Sequence, residues 1–110
     1  MLPRKHKLTR VEIGSLFDKG RLFSANDFNI KYRIETTPTD NKFAVIVGKK
    51  VAPLAVRRHQ IKREIMVSLD KNSVGRGKNG IYCAILIKKD VKTNNSLILQ
   101  AISGILNKTK

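Results

Sequence analysis

Acidic residues are scarce in this sequence: 8 Asp and Glu stand against 23 Lys and Arg, a net charge of +15. Cysteine occurs once, tryptophan never, and aromatics make up 5% of the chain. Each shortage excludes something. A lone Cys83 cannot close an internal disulfide, so the stapled framework of small secreted domains is ruled out. With 41% hydrophobic residues and few rings, the core must be mostly Ile, Leu and Val, and global disorder is not expected. The longest apolar run, "IYCAILI", has seven residues, against the ~20 of a membrane-spanning helix. The basic start, "MLPRKHKLTRVE", lacks the apolar stretch and small-residue cleavage site of a signal peptide. The expected location is therefore the cytoplasm.

Catalytic equipment is missing too. His6, His59 and Cys83 are the only soft metal ligands, and none are paired at a zinc spacing. Cys83 lies in an apolar run and reads as a core thiol. There is no G-x-S-x-G, no Walker A loop and no G-x-G-x-x-G. "GRGKNG" has the composition of a phosphate loop, but no helix follows it. The carboxylates are scattered, without a pair suited to acid and base work. No catalytic or metal-ligating residue is assigned, and a self-sufficient enzyme is not expected.

The chain's length, 110 residues, fits one domain. Thr9 and Glu12 form a capping box for a first helix, "RVEIGSLFDKG", which Gly20 ends. "RLFSANDFNIKYRIE" reads as one strand, with Phe28, Ile30, Tyr32 and Ile34 on one side and Asn29, Lys31, Arg33 and Glu35 on the other. "TTPTDN" is a turn by composition, and "KFAVIVGKK" is a buried strand. Pro53 suits the first turn of a second helix running to about Leu69. "KNSVGRGKNG" is a loop, "IYCAILIKK" another buried strand, and "NNSLILQAISGILNKTK" a closing amphipathic helix. The predicted order is αββαβα, with one sheet face left partly open.

The excess charge has a direction. From Asp40 to Glu64 lie 23 residues without an acid, and among them are Lys42, Lys49, Lys50, Arg57, Arg58, Lys62 and Arg63. Within "AVRRHQIKREI", Arg58 and Lys62 are one helical turn apart, as are His59 and Arg63, while Ile61, Ile65 and Leu69 face the core. A charge run is ordinarily a solvated helix face, but such faces mix signs. Like charges one turn apart cost a few tenths of a kcal/mol per pair, which contact with phosphates readily offsets. Nucleic acid is the leading polyanion for this charge, and an anionic membrane surface the second.

"GKKVAPLAVRRHQIKREI" resembles the signature of the bacterial ribonuclease P protein subunit: a strand ending in S-K-K, a short turn, then A-V-x-R-N-R-I-K-R on a helix. "MLPRKHKLTR", "LFDKG" and "GIYCAILIKK" resemble the family's basic N-terminus, first-helix end and third long strand. Departures mark a divergent member. Arg58 keeps the first arginine of R-N-R, but His59 and Gln60 replace the asparagine and second arginine, and Met66 stands at a position commonly basic in the family. Four residues rather than three separate Lys50 from Ala55. Ile13 stands where the family usually has the first of two helix aromatics, and Lys31 aligns with the family's strand tyrosine, one place before Tyr32.

The resemblance implies a two-layer α/β (α+β) sandwich, ribosomal protein S5 domain 2-like. Its mixed, mostly antiparallel sheet would have about four strands and a left-handed β-α-β crossover, against the general right-handed rule. It implies the accessory protein of a ribonucleoprotein endonuclease that matures the 5′ end of precursor transfer RNA. The RNA subunit would carry the active site and hold the Mg²⁺ ions, and no small-molecule substrate is implied. Lys49, Lys50, Arg57, Arg58, Lys62 and Arg63 would meet phosphates, and His59 and Gln60 bases or riboses. Phe17, Lys31 and Tyr32 would line a cleft for the single-stranded 5′ leader, where rings can stack on bases. Phe17 at helical spacing is also compatible with the core. A ribosomal or general RNA-binding module without a role in cleavage is the alternative. A basic peripheral membrane protein would need an exposed apolar helix face.

Overall fold

The computed structural model describes residues 4–37, 39–71, 77–89 and 94–108. A 3-10 turn at Arg4–His6 leads into α1, Arg10–Lys19, then β1, Arg21–Ser24, β2, Phe28–Ile34, and β3, Lys42–Val47. Helix α2, Ala55–Lys71, crosses to β4, Ile81–Ile87, and α3, Asn94–Lys108, closes the chain. Parts of "TTPTDN" and "KNSVGRGKNG" lie outside the described residues.

The order is thus αβββαβα, one strand more than the residue pattern predicts. "RLFSANDFNIKYRIE" is a hairpin. Ala25 N–H donates to the Phe28 carbonyl at 2.9 Å, so the chain reverses over Asn26 and Asp27, and Ser24 pairs with Asn29. The Asp27 carbonyl accepts from the N–H groups of Lys88 and Lys89, which ties the hairpin tip to the end of β4. Among the described residues the sheet has four strands in the order β1-β2-β4-β3. β1 with β2 and β2 with β4 are antiparallel, while β3 with β4 is parallel.

Strand periodicity then sorts the two faces. Phe28, Ile30, Phe43, Val45, Val47, Cys83, Ile85 and Ile87 point to one face and form a single core with Ile61, Ile65 and Leu69 of α2 and Ile98, Ile102, Ile105 and Leu106 of α3. Cys83 is fully buried there, and burial pushes its thiol pKa far up. Helix α1 lies against the other face through Leu16, 0% exposed, and forms a partial third layer. Asn29, Lys31, Ala44, Ile46 and Leu86 on that face are only half-buried.

Local chemistry sets α1's ends. The Thr9 hydroxyl accepts from Glu12 N–H at 3.2 Å, and Glu12 Oε1 accepts from Thr9 N–H at 2.8 Å, the predicted capping box. Gly20 ends the helix through space rather than backbone sign. Its φ is −76°, an ordinary value, but a Cβ there would stand 2.5 Å from the Leu16 carbonyl oxygen. Gly80 is the opposite case, since its φ of +76° is left-handed backbone that favours glycine.

Candidate nucleic-acid interface

The turn between β3 and α2 shapes the cationic surface. Val51 and Ala52 donate to the Gly48 carbonyl at 3.1 and 3.2 Å, which leaves Lys49 and Lys50 exposed at the tip. Arg58 Nη1 donates to the carbonyls of both Ala52 and Pro53 at 2.9 Å. This half-buried arginine therefore clasps the connection, a role separate from any external contact. Arg57 turns along its own helix, with Nη1 3.4 Å from Gln60 Oε1 and 4.0 Å from Glu64 Oε1.

The remaining predicted contacts point outward. His59, Gln60, Lys62 and Arg63 are exposed, while Ile61 and Ile65 on the reverse of the same turns are buried. Among the described residues no carboxylate pairs with Lys49, Lys50, Lys62 or Arg63. The part of the flank formed by His59, Lys62 and Arg63 is accordingly cationic, while Glu64 on the same helix lies within reach of Arg57.

One member of this surface was not identified from the sequence. Lys7 bridges to Phe43 in parallel, and Leu8 N–H donates to the Phe43 carbonyl at 3.0 Å. The start of the chain thus runs beside β3 and brings Lys7 to a recess it shares with His59, Lys62 and Arg63. A buried polar hub fixes that position. His6 Nδ1 lies 2.7 Å from the Asn41 carbonyl oxygen. Asn41 Oδ1 in turn accepts from the N–H groups of Asn79 and Ile81, and its Nδ2 donates to Asn79 Oδ1. The only sequence signal was a basic N-terminus, which said nothing of where it docks.

The second predicted group, Phe17, Lys31 and Tyr32, is divided. Phe17 on α1 is 42% exposed, which places it outside the core. Lys31 is half-buried on the sheet face that α1 partly covers. Tyr32, its chain neighbour, points to the opposite face, where it packs beside the main core and borders a groove with Leu22, Phe23 and Leu97. Adjacent strand residues face opposite ways, so Lys31 and Tyr32 do not share one cleft.

The α1 side holds paired cations. Lys42 Nζ donates to Glu12 Oε2 at 2.8 Å. Arg33 donates through Nε to Glu35 at 2.9 Å and through Nη1 to Ser15 Oγ at 3.0 Å. Both cations approach the Tyr82 ring, at 5.4 and 5.5 Å from its centroid. Partial burial alone would raise the Glu12 pKa, but hydrogen bonds from Lys42 and Thr9 outweigh it and hold the carboxyl below its ordinary range. The hydrogen bond to Glu12 likewise outweighs desolvation at Lys42 and raises its ammonium pKa.

Among the described residues no three His, Cys, Asp or Glu side chains come together to hold a metal ion. No helix there is long and apolar enough to cross a membrane. By fold and surface this is a small α/β protein with a predominantly cationic helix flank. The family model for Ribonuclease P matches residues 2–110, and the chain belongs to that family. It is similar to the "Ribonuclease P protein component" of Pseudanabaena sp. (strain PCC 6903), with 25% identity over 112 residues, covering 100% of this chain and 96% of the relative.

Proposed function

We propose that the protein is the accessory subunit of ribonuclease P, binding a catalytic RNA and the 5′ leader of precursor transfer RNA to promote endonucleolytic maturation of the 5′ end. The observation that carries this reading, given the family, is the exposed cationic flank of α2 continued by Lys49, Lys50 and Lys7, with no carboxylate pairing with Lys49, Lys50, Lys62 or Arg63 among the described residues. Lys62 and Arg63 meet RNA phosphates, releasing condensed counterions. His59 and Gln60 offer hydrogen bonds to bases or riboses. Arg58 contributes charge while it holds the turn, and Arg57 lies at the margin.

The leader would lie on the open side of the sheet. Phe17 supplies an exposed ring there and Lys31 a cation, whereas Tyr32 is directed elsewhere. In this reading the Mg²⁺ ions of the reaction are held by the RNA, where they would activate water and stabilise the leaving oxygen. The protein's own share is binding and orientation. In this reading the protein works in the cytoplasm.

The deciding experiment combines the purified protein, its cognate RNA and Mg²⁺. The protein should lower the precursor concentration needed for half-maximal cleavage and cleave nothing by itself. Cleavage by protein stripped of RNA overturns this reading. RNA binding without any effect on cleavage leaves a general RNA-binding module instead.

A further inference from the structure

The recess beside α2 differs from the rest of the cationic surface. His59, Lys62, Arg63 and Met66 are spaced three and four residues apart and share one helix flank. Lys7 faces them from the segment paired with β3. Between these walls the floor is apolar: Val45, 8% exposed, and Met66, which packs against the core. The cavity measures about 210 Å³ and is open on one side. A shelf for phosphates alone needs no such floor. A phosphate pressed onto Val45 and Met66 would lose hydration without gaining partners, so the anion belongs at the rim.

We infer that this recess accepts one unstacked nucleobase, with the flanking phosphates held at its rim by Lys7, Lys62 and Arg63. A base has an apolar face that suits the floor, and a thioether makes favourable contacts with aromatic rings. The His59 ring, exposed at the mouth, can stack on the base or hydrogen-bond its edge, the usual way proteins read unpaired RNA. The site is therefore selective for single-stranded or bulged RNA, since a paired base cannot leave its helix without cost. This inference rests on the RNA-binding reading above and adds a base-specific contact to it.

The chain's two methionines, Met1 and Met66, give a direct test. With methyl-13C methionine, the intact protein shows two methyl signals, and Met1 serves as the reference. A short oligoadenylate should move the Met66 signal upfield through the ring current of the inserted base. An abasic ribose-phosphate oligomer of equal length should bind through charge yet leave Met66 unmoved. Lys7→Ala should weaken binding of both oligomers equally and keep the Met66 shift at saturation. The base pocket is overturned if the abasic oligomer moves Met66 as far as oligoadenylate does, or if oligoadenylate binds without moving it. If neither oligomer binds even at low salt, the RNA-binding reading itself falls, and the pocket with it.

Discussion

Two groups of cations on this small protein show how the same residue types serve different ends. At the α1 junction, Lys42 and Arg33 retain only 25% and 33% side-chain exposure, and each is paired with a carboxylate. On the α2 flank, Lys62 and Arg63 are exposed, with no carboxylate pairing with them among the described residues. The first group fastens a helix to a sheet. The second, among the described residues, fastens nothing through a carboxylate. Net charge does not distinguish them, but pairing and exposure do.

The largest effect should come from removing what lies beneath the first group. Leu16→Ala empties the buried anchor of α1 and should cost about 2–5 kcal/mol in urea unfolding. A loss below ~1 kcal/mol would mean that the ion pairs, rather than Leu16, hold α1 on the sheet. The double variant Lys62→Ala/Arg63→Ala should behave in the opposite way, leaving stability within ~0.5 kcal/mol of the parent. RNA-subunit binding should weaken, and the log–log salt slope should fall by about 0.7–0.9 for each lost contact. An unchanged slope would make the α2 flank a solvated surface.

Phe17→Ala sharpens the contrast from the α1 side. Being exposed, Phe17 should cost far less than the ~3–5 kcal/mol of an emptied core site. Its loss should weaken precursors with a leader by about 1–3 kcal/mol, the worth of one stacked base, and leave mature transfer RNA and the salt slope untouched. A thermal melt alongside leader-length binding assays checks both statements.

Smaller effects belong to the ion pairs. Lys42→Ala removes a partly buried pair and should destabilise by about 1 kcal/mol, without altering the salt dependence of RNA binding. A changed salt slope would place Lys42 among the RNA contacts. The pH response of this pair has a definite sign. Glu12 is held below its ordinary 4.5, so its contribution is fully present above that value and is lost as pH falls through the depressed pKa. Lys42 is raised above 10.5, so its contribution persists below that value and fades as pH rises through the raised pKa. Glu12→Gln should flatten the acid limb of the stability profile by a few tenths of a kcal/mol. An unchanged limb would show that the pair is screened by solvent.

Much of this was legible because local and global signals agree. The capping box, the apolar runs of β3 and β4 and the stripe of α3 each state their element without help from neighbours. The β1–β2 hairpin was not legible. Its reversal uses Asn26 and Asp27 without Gly or Pro, and the alternation from Phe28 to Ile34 tempts the eye to extend a single strand backward. The α2 flank was visible as a run free of acids. Lys7's place was not, because it depends on a bridge to Phe43, 36 positions away. Arg58's clasp on Ala52 and Pro53 was equally hidden, since carbonyl partners leave no trace in side-chain pattern. The division of Lys31 from Tyr32 needed only strand parity, and the family likeness had obscured it.

The hub around Asn41 also bears on how the protein ages. Asn79-Gly80 is the chain's one Asn-Gly bond, the pairing most prone to deamidation, in which the glycine nitrogen attacks the asparagine side-chain carbon. Here Gly80 N–H is engaged with the Thr39 carbonyl at 3.0 Å, and Asn79 Oδ1 is held by Asn41 Nδ2 at 3.2 Å. Both the nucleophile and its target are restrained. Deamidation at Asn79 should therefore track unfolding, and long storage of folded protein should leave this bond intact while heat-treated samples gain the acidic product.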